Sequence, residues 1–171
     1  MRFTEFSGPL GGLRVIEHRG KLINLDLAPY GPPPHHSKLG QTSLLKEARR
    51  QLEEYFNGAR QTFDLPLNPQ GTDFQRRTWE VLLQIPFGQT LSYQEVAQRL
   101  GQPLAYRAVG GANGKNPLAI LIPCHRVINA EGTLGGYSAG LPWKKHLLDL
   151  EGHQLSHPQK ETTESPYHWY L

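Results

Sequence analysis

The sequence predicts two unlike parts: an α/β N-terminal domain over residues 1–71 and a largely helical C-terminal domain over 72–152 that carries a helix-turn-helix-like pair. Three observations predict this. Short Val/Ile/Leu-rich runs and one amphipathic helix fill the stretch before Pro66. Pro66, Pro69 and Gly71 then punctuate the chain. Beyond them come helical patterns with capping signals and a single short apolar run, Leu118–Ile122.

In chain order, Leu13–His18 and Lys21–Leu27 read as a hairpin around Arg19-Gly20. Residues 28–40, with Pro29, Gly31 and Pro32–Pro34, exclude regular structure, and His35 and His36 within them form a solvated pair. From Ser43 to Asn57, the residues Leu44, Leu45, Ala48, Leu52, Tyr55 and Phe56 share one helical face, with Gly58 as the C-terminal cap. Thr62–Leu65 adds a short strand. Thr72 or Asp73 starts a helix that buries Phe74, Val81, Leu82 and Ile85 and stops before Pro86. A last helix runs from Trp143 to Glu151 and is stopped by Gly152; residues 153–171 read as a flexible tail.

Composition narrows the function classes. The chain of 171 residues has one cysteine, which excludes an internal disulfide framework and any zinc site built on several thiolates. No apolar stretch reaches the roughly 20 residues of a membrane span, and the N-terminus lacks a signal-peptide pattern, so a cytoplasmic location without membrane association is expected. Residues 75–145 hold eight Lys/Arg against three Asp/Glu. That excess suits a polyanion such as nucleic acid, or simply a solvated basic face.

Ser92-Tyr93-Gln94-Glu95 is a capping-box pattern at a helix start. Val96, Ala97 and Leu100 supply its apolar face and Gly101 breaks it; Pro103 then opens a second helix running to about Asn113. That second helix is poor in the long polar side chains that read base edges. It offers Ala105, Ala108, Gly110, Gly111 and Ala112, with Arg107 its one long basic residue. Each glycine costs about 1 kcal/mol of helix propensity relative to alanine. Small residues return close backbone approach, either to other parts of the protein or to a DNA groove that Arg107 probes without regard to base sequence.

Cys124 follows the apolar run at once and is flanked by His125 and Arg126. Cations beside a thiol lower its pKa, and an imidazole accepts its proton near neutral pH. Adjacent residues of an extended chain point to opposite sides, so Cys124 and His125 meet only through a backbone turn or a bridging water; a water bridge is expected. Glu151 lies in the last turn of its helix, where the dipole disfavours anions by about 0.3–1 kcal/mol. It is either a solvated carboxylate or the partner that orients His125.

The segments TDFQRRTWEVLLQIPFGQTLSYQEVA, YRAVGGANGKNP, ILIPCHRVI, GGYSAGL and KKHLLDLEG, in this order, resemble the C-terminal domain of the O6-alkylguanine-DNA alkyltransferases, also called methylated-DNA–protein-cysteine methyltransferases. The resemblance implies a ribonuclease-H-like N-terminal domain and a winged-helix-like C-terminal one. It implies irreversible, single-turnover transfer of an alkyl group from guanine O6 (less readily thymine O4) to Cys124 after base flipping, by a monomer bound in the minor groove of double-stranded DNA with little sequence preference. By position, His125 takes the thiol proton through water and Glu151 holds it. Tyr93 donates to the base and crowds its phosphate, while Arg107 fills the gap left in the stack. Asn116 ties the DNA-binding helix to the cysteine loop, the carbonyls of Cys124 and Val127 accept from the guanine amino group, and the Ser138 amide donates to O6. Some family members carry proline where Ala119 stands, which implies a roomier pocket here. No cofactor is expected, and no metal, because the N-terminal cysteines that hold zinc in some members are missing. Two other readings, a DNA-binding regulator that ignores Cys124 and a cysteine hydrolase with a Cys–His–Glu triad, are open to a test of stoichiometry.

Overall fold

In the computed structural model, which describes residues 1–153, the first structure to form a register is a three-strand meander. Strands β1 (Arg2–Gly8), β2 (Gly11–His18) and β3 (Lys21–Leu27) are antiparallel neighbours, and a two-residue strand β4 (Lys38–Leu39) adds in parallel to β1, giving the order β3-β2-β1-β4. The β2–β3 turn has Arg19 at φ 50° and Gly20 at φ 72°, the twist-matched hairpin geometry in which both central residues take positive φ. β1 is additional to the expected elements: Phe3 and Phe6 are buried beside exposed Arg2 and Glu5, a pattern half-hidden because Thr4 is buried as well. β4 lies inside the stretch expected to be irregular; its backbone pairs with β1 despite the prolines before it.

Helix α1 (Ser43–Phe56) starts at the Thr42 hydroxyl, which accepts from the Leu45 amide and donates to Glu17. Its apolar face, with Leu45, Ala48, Leu52 and Tyr55 fully buried, packs against β1 and β2, where Leu13 and Val15 are fully buried too. The strand expected at Thr62–Leu65 does not form. Gln51 pins that segment instead, donating to the Asp64 carbonyl and accepting its amide, and the one bridge to the sheet is at Leu67, opposite Leu22. Residues 117–121 belong to this first unit with 1–70: Leu25 donates to the Pro117 carbonyl and pairs with Leu118. The apolar run is buried as expected but is not a strand, since Ile120 sits at φ 70°, a conformation that costs a β-branched residue about 1–3 kcal/mol and breaks any ladder.

Among the described residues, the second unit comprises 71–116 and 122–153. Helix α2 (Asp73–Leu82) begins with a capping box from Thr72 and Gln75, and helix α3 (Tyr93–Arg99) with one from Ser92 and Glu95. Helix α4 (Tyr106–Gly114) starts three residues later than expected. The Ala105 amide closes onto the Gln102 carbonyl, so Pro103 occupies a turn and α4 has no side-chain cap. Trp79, fully buried on α2, donates its indole N–H to the Ala112 carbonyl at 2.9 Å and locks α2 to α4. Strands β5 (Leu91–Ser92) and β6 (Val127–Ile128) pair in parallel, and helix α5 (Leu141–Leu150) begins two residues before the expected Trp143, with Pro142 in its first turn. The expected tail lies outside the described residues, except for His153. No helix among the described residues is long and apolar enough to cross a membrane.

Candidate active site

Cys124 opens a single 3-10 turn, Cys124–Arg126, rather than the end of an extended segment. The turn is held by two asparagines: Asn113 of α4 donates to the Cys124 carbonyl at 3.2 Å, and Asn116 donates to the Ile122 carbonyl at 2.8 Å. Asn116, just past the end of α4, thus ties that segment to the cysteine loop, with Asn113 as a second tie. The thiol is buried, 2 % exposed, and the side chains of Asn116 and Tyr137 lie beside it.

The thiol is not ionised by its sequence neighbours. Burial pushes its pKa up, with Asn116, the Lys144 ammonium and Tyr137 opposing only in part. Arg126 faces away from it. The guanidinium donates to both Glu151 carboxylate oxygens, at 2.9 and 2.8 Å, and to the Ile85 carbonyl at 2.7 Å. The correction has a simple cause: in a 3-10 turn residues i and i+2 diverge, so Arg126 is spent on the carboxylate.

His125 is fully buried, and its Nε2 lies 2.8 Å from Glu151 Oε1. Of the two sequence readings of Glu151, the orienting partner is the one observed. Burial alone would raise the Glu151 carboxyl, but hydrogen bonds from His125 and Arg126 outweigh it and hold the pKa at about 2. Burial pushes the His125 imidazole down, against the pull of Glu151. A neutral imidazole beside a carboxylate places its proton on Nε2 and leaves Nδ1 as a bare lone pair. That Nδ1 is buried with no hydrogen-bond partner among the described residues. The site therefore holds a neutral thiol, a fixed carboxylate and an unoccupied base between them in sequence.

A cavity of about 590 Å³ opens in front of this group, within the usual range for a small-ligand site. Its walls include Tyr93, Arg107, Gly110, Gly111, Asn113, Tyr137 and Ser138. Cys124 itself is one layer behind, backed onto Asn113 and Tyr137, which line the cavity and touch it. Ala105 caps α4, and neither it nor Ala119 is among the lining residues. Tyr93 is fixed by glycines. A Cβ on Gly135, at φ +68°, would stand 2.9 Å from the Tyr93 hydroxyl, and one on Gly110 would lie 3.9 Å from its ring. Burial pushes the phenol up to about 12, so it remains a donor. Arg107 is exposed and pairs with none of the described residues.

Sequence reasoning missed Lys144. Its ammonium, fully buried, donates to the carbonyls of Val127, Leu134 and Gly136 at 2.7, 2.5 and 3.0 Å and stands 5.9 Å from the Tyr93 ring centre. Burial pushes its pKa down to about 7, while three carbonyl oxygens demand an N–H donor there. The signal was present, since Lys144, Leu147, Leu148 and Glu151 fall at helical spacing on one face. The Val127 carbonyl thus has one lone pair engaged, and the Cys124 carbonyl takes both Asn113 and the Val127 amide.

A buried thiol behind a cavity, backed by a carboxylate-held imidazole and walled by a glycine-rich helix, defines a cysteine group-transfer site on a nucleic-acid-binding-type scaffold. Family models agree: residues 73–153 match the DNA-binding domain of 6-O-methylguanine DNA methyltransferase, and residues 1–69 match its ribonuclease-like domain. The chain belongs to this family. Among curated relatives, the methylated-DNA–protein-cysteine methyltransferase of Methanosarcina acetivorans is 43% identical over 154 residues, 89% of this chain and 99% of that one. The Mycobacterium leprae protein of the same name is 45% identical over 150 residues, 86% of this chain and 90% of that one. A crystal structure of Mycobacterium tuberculosis OGT in complex with DNA superposes with a TM-score of 0.83 at 43% identity, covering 88% of this chain and 92% of that one.

Proposed function

We propose that this chain repairs alkylated DNA by direct reversal, moving the alkyl group from guanine O6, and less readily thymine O4, onto Cys124. The observation that carries the reading is the bare, buried Nδ1 of His125 on the residue next to Cys124, together with a cavity of base-admitting size lined by Asn113 and Tyr137, the neighbours of Cys124. His125 takes the Cys124 proton through a water. The sulfur then attacks the alkyl carbon, the carbon–O6 bond breaks with its electron pair going to O6, and a thioether forms. Glu151 stabilises the imidazolium produced, and the developing charge on O6 is met by the Ser138 amide and the Tyr93 hydroxyl. The Val127 carbonyl offers its second lone pair to the guanine amino group, and the Cys124 carbonyl does so only when Asn113 releases it.

An O6 atom inside a duplex cannot reach a buried sulfur, so the nucleotide must leave the stack, at a few kcal/mol for a damaged pair. Arg107 fills the gap, and Ala105, Gly110 and Gly111 let α4 approach the minor groove closely. The basic stretch meets phosphates without reading sequence. In this reading residues 1–71 form a ribonuclease-H-like domain, 72–152 a winged-helix-like DNA-binding and acceptor domain, and the protein acts as a cytoplasmic monomer without cofactor or metal. A thioether is not opened by thiol exchange, and no second cysteine receives the group, so each chain reacts once. Cys124→Ala should bind duplex DNA normally and transfer nothing, by gel shift and by loss of label from methylated oligonucleotide; residual transfer would end the nucleophile assignment.

A further inference from the structure

One face of α4 runs along the cavity. Tyr106, Gly110, Asn113 and Gly114, at helical spacing, all line it. At the inner end, Asn113 is buried and holds the Cys124 carbonyl. Gly110, with Gly111 beside it, leaves the middle of this floor flat. At the outer end stands Tyr106, first residue of α4, 39 % exposed and the one bulky side chain on the stripe. Seven residues of helix separate the two ends, about 10 Å of rise. That is the length of a nucleoside rather than of a base alone. A base with its O6 toward Cys124 lies over the glycines, which leaves its sugar beside the phenol ring.

We propose that Tyr106 is a further substrate-contacting residue, its ring packing against the deoxyribose of the extruded nucleotide at the cavity mouth. This rests on reading the cavity as the receptacle of a flipped nucleotide. The contact uses the ring face and needs no hydroxyl. It also requires a sugar on the base, whether or not the strand is paired. Tyr106 thus differs from its neighbour Arg107, whose role needs a duplex with a gap to fill.

Three substrates separate these roles: methylated duplex, the same methylated single strand, and free O6-benzylguanine. Tyr106→Ala should slow transfer from duplex and single strand alike by about tenfold, the low-to-middle range for aromatic packing on a nucleotide, and leave the free base within about twofold. Tyr106→Phe should match the unmodified chain on all three. Arg107→Ala should slow the duplex reaction alone. The proposal is overturned if Tyr106→Ala transfers normally from the single strand, or if it loses as much on free base. A normal chain inert toward all three substrates would instead overturn the reading of the cavity itself.

Discussion

Each unit buries a guanidinium, and the two are treated differently. In the first, Arg14 donates to Asp26 Oδ2 at 3.0 and 2.9 Å and to the Gly31 carbonyl at 2.8 Å, with the Tyr30 ring 4.4 Å from its guanidinium carbon. The cluster closes on itself and ties the loop after β3 to the sheet. In the second, Arg126 saturates Glu151 in much the same way, but Glu151 also holds His125, whose other nitrogen has no partner among the described residues. A buried ion pair is a poor source of stability in itself. The contrast teaches where its use lies: Arg14 fixes backbone, whereas Arg126 keeps ionised the carboxylate that holds His125.

The sharpest way to break that contrast is to remove the anion. Glu151→Gln leaves Arg126 buried without a counter-charge, which should cost roughly 3–5 kcal/mol of stability by denaturant unfolding. It should also slow transfer by about 100-fold or more once folded molecules are counted, because His125 loses its orienting partner. Arg14→Met should cost less, about 2–3 kcal/mol, since Asp26 is a quarter exposed, and it should leave the transfer rate of the folded fraction unchanged. Equal kinetic losses in the two variants would erase the distinction. Lys144→Met orphans three carbonyls behind the cavity wall and should lower stability by at least ~2 kcal/mol while weakening reaction with free benzylguanine as well as with DNA.

The smallest effects are in pH. The His125 pKa is depressed, so the base stays neutral as pH falls through 6.5, and the transfer rate should hold level there and drop only below it. Glu151 is depressed from 4.5 to about 2, so its contribution to stability is complete above 4.5 and is lost as pH falls toward 2. Acid unfolding of Glu151→Gln should accordingly show a flatter dependence on pH across that window than the unmodified chain.

What the sequence made legible follows from how local each signal is. The hairpin at Arg19-Gly20, the helix start at Thr72, the capping box at Ser92 and the α1 stripe are set by residues within one or two turns, and all are observed. The start of α4 was misjudged because Pro103 favours a first turn intrinsically but here serves the preceding turn. β4 escaped because its two residues carry no pattern of their own and pair only through β1. In the site, Cys124 and His125 stood out from chemistry and spacing, whereas spacing left Glu151 open between a solvated carboxylate and a partner for His125. The raised thiol pKa was not, because burial is a tertiary fact and the cation that matters, Lys144, arrives from a helix a turn and a loop later. The direction of Arg126 was hidden for the same reason.

The account stands most directly on where the alkyl group ends up. The intact chain mixed with excess O6-methylguanine duplex, then digested and mapped by mass spectrometry, should carry a single added methyl on Cys124, with lesion loss stopping when every chain is modified. Continued loss of lesion after that point, or a methyl on any other residue, would contradict it.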